Sequence, residues 1–200
     1  MLNELEKIEK YARLFNVPII EKPASEVLIE SIKQCRPKRI LEIGTAIGYS
    51  GSLMLLNSTA TLLTIEKLAG AVQVAKENFK NLGLENRVEI INGDANDVII
   101  TLKNQGEKFD YIFLDGPKSK YYYQLPTLLE MLETNGTIFA DDVLYKGWVL
   151  NNEYPAHKHR TIILSLRKFF LLFYYREVFY YFIEFCFRNS FIWNSNHCTS

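Results

Sequence analysis

The sequence predicts an α/β protein built on an open, doubly wound, mostly parallel sheet with helices on both faces, and three observations lead there. Between Lys38 and Asp142, short apolar runs alternate with longer segments of helical period. The runs are nearly continuous in apolar residues, as strands buried on both faces are, rather than alternating in polarity. Six carboxylates stand at or just past the ends of these runs: Glu42, Glu66, Asp94, Asp115, Asp141 and Asp142. In such a sheet ligands bind outside the carboxyl ends of the strands, so these acids would converge on one rim.

The elements follow in order. Leu2, Leu5, Ile8, Ala12 and Phe15 form one apolar stripe at helical spacing, and Pro18 and Pro23 break the chain before a second helix from about Ala24 to Gln34. These two helices are expected to cover the sheet or the mouth of the site. Strands are predicted near Arg39 to Ile43, Thr61 to Ile65, Arg87 to Ile91, Asp110 to Leu114 and Gly136 to Ala140. Leu68 to Leu82, Ala95 to Lys103 and Lys118 to Leu132 have the length and period of the crossover helices that right-handed βαβ connections require.

At 200 residues and 48% hydrophobic content the chain can bury the core of one domain, predicted over 1–170. Lys plus Arg and Asp plus Glu both count 23, so no global charge draws the protein to nucleic acid. Cys35, Cys186 and Cys198 are widely spaced, with no CxxC, and read as buried or free thiols in a reducing cytoplasm. The N-terminal MLNELEKIEKYARLF lacks the long apolar core of a signal peptide. The tail, 171–200, is atypical. FFLLFYYREVFYYFIEFCFRNSFIW, from Phe169 to Trp193, is dense in aromatics without a clean period, and Arg176, Glu177, Glu184 and Arg188 interrupt it as a membrane span.

The run E-I-G-T-A-I-G-Y-S, Glu42 to Ser50, lies between a strand and a helix, with glycines where the backbone must turn tightly or approach a ligand. A dinucleotide site would want G-x-G-x-x-G. Here Glu42 stands two residues before Gly44, where its charge would repel a pyrophosphate but accept a hydrogen bond from an ammonium group. Glu66 ends the next strand, where an acid grips ribose hydroxyls in nucleotide-binding folds. An ordinary tight βα turn would explain the glycines alone; with Glu66 and Asp94 in register, an adenosine cofactor with a cationic amino-acid end is the better fit.

ILEIGTAIGYS, TIE, NGDA, FDYIFLDGPKSKY and TIFADDVLYKGWV resemble the successive motifs of the class I, S-adenosylmethionine-dependent O-methyltransferases of the catechol and caffeoyl-CoA type, which share a Rossmann-like sheet. Within that group the chain most resembles the bacterial tRNA 5-hydroxyuridine methyltransferases, from about Tyr11 to Lys168. The resemblance implies that Glu42, Gly44, Gly48, Tyr49 and Ser50, with Thr45 in the same loop, line the methionine end of S-adenosylmethionine. Glu66 would hold its ribose, and Gly93, Asp94 and Ala95 the adenine edge, with Asp115 bordering the cofactor.

Asp115, Asp141 and Asp142, at the ends of adjacent strands, offer oxygen ligands suited to Mg²⁺ with room for water and substrate. Acids capping the next elements would also stand there. The resembling family binds its metal at these positions, usually with Asn at the third, where this chain has Asp142. Lys118, three residues past Asp115, would lose proton affinity beside a divalent cation, and the family's lysine at this place takes the proton from the acceptor hydroxyl. Tyr121, Tyr122 and Tyr123 read as packing residues, one of them within reach of substrate.

These roles predict methyl transfer to a chelating hydroxyl. The expected acceptor is tRNA wobble 5-hydroxyuridine, with a catechol-like or caffeoyl-CoA-like small molecule as the alternative and a catalytically defective cofactor-binding remnant as a third. The basic run His157, Lys158, His159 and Arg160, with Arg167 and Lys168, would touch RNA phosphates or form a solvated helix face. The family's closing strand hairpin is not visible in the tail. That suggests a frameshifted or truncated terminus, or else a divergent tail packing as helix in a homodimer.

Overall fold

The computed structural model describes residues 2–151, 157–174 and 191–194. Two helices, α1 (Leu2–Leu14) and α2 (Lys22–Cys35), precede the sheet. The chain then runs β1 (Arg39–Ile43), α3 (Tyr49–Leu56), β2 (Thr61–Glu66), α4 (Ala69–Asn81), β3 (Val88–Asn92), α5 (Ala95–Asn104), β4 (Phe109–Leu114), α6 (Tyr121–Met131) and β5 (Leu132–Ala140). Helix α7 (Arg160–Tyr174) and strand β6 (Phe191–Asn194) close the described chain.

The sheet order is β3-β2-β1-β4-β5-β6. The first five strands are parallel, and β6 runs antiparallel on β5. Strand order reverses between β1 and β4, the switch point where two loops diverge and leave a crevice. Ile43 stands level with Ile65 and Leu114, and Leu114 with Ala140, so the strand ends are flush and the residues after them share one rim.

Alternation along β4 shows how the core divides. Phe109, Ile112 and Leu114 face a layer containing Ile99, Leu125, Leu128 and Phe169 of α5, α6 and α7. Tyr111 and Phe113 face a layer containing Ile8, Leu28, Ile32, Leu53 and Phe79 of α1 to α4. Each such fully buried side chain contributes roughly 1.5–3 kcal/mol.

Three sequence expectations are corrected. The edge strand β3 is only half buried, because no strand covers its outer side. Strand β5 begins at Leu132 rather than Gly136; its polar start, Glu133 to Asn135, is exposed and irregular, with Asn135 at φ 68. The tail, read as lacking a closing strand, supplies β6, whose pairing register spans Thr137 to Ala140 of β5. Among the described residues, no helix is long and apolar enough to cross a membrane, and the one described cysteine, Cys35, is free and exposed.

Candidate active site

The turn after β1 is built on Glu42. Its carboxyl is fully buried and accepts hydrogen bonds from Ser50 Oγ at 2.6 Å and Thr64 Oγ1 at 2.7 Å. Thr64 spends its proton there, so Thr45 donates to Thr64 across 2.6 Å. Burial pushes Glu42 up to about 7, against the pull of the two hydroxyls and with help from the Asp115 and Glu66 charges. Gly44, at φ 102, has no room for a side chain, since a Cβ would lie 2.7 Å from the Asp115 carbonyl oxygen. Gly48, at φ 82, backs onto the Phe79 ring.

The carboxylate of Glu66 closes this turn from the neighbouring strand. Oε2 accepts from the Ala46 amide at 2.9 Å and Oε1 from the Leu68 amide at 2.8 Å. Asp94 caps α5 through the Asn96 amide at 3.0 Å and pairs with Lys67 at 2.9 Å. The Lys67 hydrogen bond, then the Asn96 amide, hold its carboxyl down at about 2. Gly93 donates its amide to the Glu66 carbonyl, which ties the β3 end to the β2 end.

Across the switch point, Lys118 Nζ stands 2.7 Å from Asp115 Oδ1. Burial alone would lower Lys118, but the charge and hydrogen bond of Asp115, with Asp141 and Asp142, outweigh it and hold the ammonium form. Tyr121, fully buried, donates to the carbonyls of Leu114 at 2.8 Å and Asp141 at 3.1 Å, bracing the two strand ends that carry the acids. Asp142 adopts φ 51, a left-handed conformation that a short polar side chain tolerates.

Gly44, Glu66, Asp115, Lys118, Asp141 and Asp142 line one cleft of about 830 Å³, walled on the far side by the segment from Pro18 to Ala24. Other candidates from the glycine turn lie beneath this lining. Glu42, Thr45 and Ser50 form its buried polar support, and the Tyr49 hydroxyl turns away to Glu9 at 2.5 Å, linking the turn to α1. Gly93, Asp94 and Ala95 sit at the neighbouring β3 end beside Lys67. Sequence reasoning missed Ala46, Glu21 and Lys146 as lining residues. The two prolines that break the chain were the available signal for the 18–24 wall.

Three carboxylates on one cleft have the hard-oxygen chemistry that Mg²⁺ takes. Their arrangement does not form a ligand set, however: among the described residues no three His, Cys, Asp or Glu side chains group closely enough to hold a metal ion, and Asp115 is engaged by Lys118.

Part of the basic run makes contacts within the fold. Arg167 donates to the carbonyls of Val149, Trp148 and Asn151, His159 Nδ1 meets the Tyr145 hydroxyl at 2.8 Å, and Lys168 lies over the Tyr122 ring. Arg167 and His159 therefore brace the loop after β5, while His157, Arg160 and Lys168 are exposed.

A parallel sheet reversing between β1 and β4, a glycine turn after β1 and an acid closing it from β2 define a Rossmann-like nucleotide-cofactor domain. Comparison with known proteins names the class. The O-methyltransferase family profile matches residues 1–171, and the chain belongs to that family. It is 35% identical over 127 residues to a catechol O-methyltransferase of Niastella koreensis, covering 61% of this chain and 58% of that one. With a caffeoyl-CoA O-methyltransferase of Populus kitakamiensis it shares 27% over 171 residues, covering 80% and 72%. The O-methyltransferase TomG of Streptomyces achromogenes, solved with S-adenosylmethionine, superposes at TM-score 0.77 with 25% identity, covering 87% of this chain and 78% of TomG. An O-methyltransferase of Bacillus cereus, solved with S-adenosylhomocysteine, shares the fold at TM-score 0.78, covering 88% and 80% with 24% identity. The protein is an S-adenosylmethionine-dependent O-methyltransferase.

Proposed function

We propose that the protein methylates a planar acceptor bearing two neighbouring oxygens, with Mg²⁺ as cofactor and Lys118 as the proton acceptor. The observation that carries this reading is the meeting of Lys118, Asp115, Asp141 and Asp142 with Gly44 and Glu66 in one cleft. S-adenosylmethionine supplies an electrophilic methyl group. Glu66 and the turn from Gly44 to Gly48 would seat it, and the wall from Pro18 to Ala24 would exclude water and press a flat ring toward the acids. Asp115, Asp141 and Asp142 would hold Mg²⁺ only if drawn closer together than they stand, with Asp115 released from Lys118; the ion would then lower the proton affinity of a hydroxyl beside it and of the Lys118 amine. Lys118 is an ammonium while paired with Asp115, so it would take the acceptor's proton only in the neutral form that a neighbouring Mg²⁺ charge favours. Alignment of the two reactants would supply much of the acceleration.

A small catechol-like acceptor is favoured over tRNA wobble 5-hydroxyuridine, because relatives bear catechol and caffeoyl-CoA names and because Arg167 and His159 of the basic run bond within the fold. Mass spectrometry decides: purified protein with S-adenosylmethionine and Mg²⁺ should convert catechol to its monomethyl ether, and tRNA from a deletion strain should keep its wobble nucleosides unchanged. Loss of a methoxyuridine in that strain would restore the tRNA reading. An EDTA-insensitive rate would remove Mg²⁺, and cofactor binding without turnover of any acceptor would leave a defective remnant.

A further inference from the structure

One cation in the cleft has no role in the reading above. Lys118, which also lines it, is paired with Asp115. Lys146 lines the same cleft as Asp142, and among the described residues it has no carboxylate partner. Its Nζ lies 5.5 Å from the centre of the Trp148 ring.

The backbone that places this lysine is unusual. Tyr145, Lys146 and Gly147 have φ 43, 61 and 76, three successive residues in the left-handed region, of which only the glycine adopts it freely. Such a conformation persists where the surroundings over-determine it, and it clusters at ligand clamps. Here the surroundings are explicit. His159 bonds the Tyr145 hydroxyl and packs on Trp148 with ring centres 4.9 Å apart. Arg167 of α7 holds the carbonyls of Trp148, Val149 and Asn151. The whole of this bracing fixes one turn, and the side chain at its tip is a lysine facing a cleft that five carboxylates also line.

We propose that Lys146 determines acceptor specificity by pairing with an anionic group carried beyond the reacting ring, so that the substrate class is an anionic vicinal dioxygen compound. This rests on the cleft being the methyl-transfer site. Without Lys146, the surplus of carboxylates would favour neutral or cationic acceptors.

The test uses two matched pairs with the full-length protein: catechol against 3,4-dihydroxybenzoate, and 5-hydroxyuridine against its 5′-monophosphate, so that carboxylate and phosphate are read separately. The wild type should prefer the anionic member of at least one pair. In Lys146→Glu that preference should fall roughly tenfold or more, the size of one charge-assisted contact, through KM rather than kcat. Lys146→Arg should keep it. An unchanged anionic-to-neutral ratio in Lys146→Glu, or no anion preference in the wild type, overturns the proposal. If the wild type methylates none of the four, the reading of the acceptor fails. The same ratio, measured as calorimetric affinity for the cofactor-loaded wild type and Lys146→Glu proteins, then decides the role of Lys146 by itself.

Discussion

Glu42 is a buried acid inside a glycine turn, with two hydroxyl donors and, among the described residues, no cation against it. Its folded-state value is raised by burial from 4.5 to about 7. The unfolded chain therefore releases this proton first as pH rises, and the folded state binds more protons between those two values. Stability from this group is present below about pH 4.5 and declines as pH climbs through about 7, by on the order of 3 kcal/mol. Urea denaturation between pH 5 and 8 should show that fall. Glu42→Gln, which cannot ionise, should flatten it, and an equal slope in both proteins would mean that Glu42 is charged in the fold.

At the level of elements, the turn and the brace behave differently. The Gly44 Cα approaches the Asp115 backbone so closely that Gly44→Ala must displace one strand-end loop. Gly106, also at positive φ, has open space around it. Gly106→Ala should cost about 1 kcal/mol, the price of the backbone conformation alone. Gly44→Ala should cost more and weaken S-adenosylmethionine binding in calorimetry; equal effects would separate the turn from the cofactor. Tyr121 of α6 spans the ends of β4 and β5, and Tyr121→Phe leaves the Leu114 and Asp141 carbonyls short of a donor. A loss of about 1–3 kcal/mol in chemical denaturation is expected, with the methyl-transfer rate falling while cofactor affinity holds. The strands and crossover helices were legible because burial on both faces writes continuous apolar runs, and the acids at their ends marked the rim. What could not be read was direction. Nothing in the spacing distinguishes Glu66, whose carboxylate borders the cleft, from Asp94, whose carboxylate caps a helix and pairs with Lys67. Arg167 likewise reads as a surface cation until the fold brings the carbonyls of the loop after β5 within its reach.

For the molecule as a whole, β6 is what ties the tail to the fold. Phe191–Asn194 is a short run in a stretch without period, which is why no strand was expected there. Yet it pairs with Thr137 to Ala140 of β5, and Ile192 packs against the core layer on the α1 to α4 side. Strand β5 carries Asp141 and Asp142 directly past its end. Without β6 its outer N–H and C=O groups would form an unprotected sheet edge beside the cleft, a template for pairing with another chain. If the tail were an accidental extension, deleting residues 191–200 would cost nothing. If β6 is part of the sheet, the deletion should lower stability by about 1–3 kcal/mol, a few net ladder hydrogen bonds less the ordering of four residues. It should also promote association, visible as higher mass in light scattering. Limited proteolysis of the full-length chain gives the complementary measurement: protection of 191–194 equal to that of β5 is expected. An unchanged melting temperature and a monodisperse deletion variant would return the tail to the status of a frameshifted appendage.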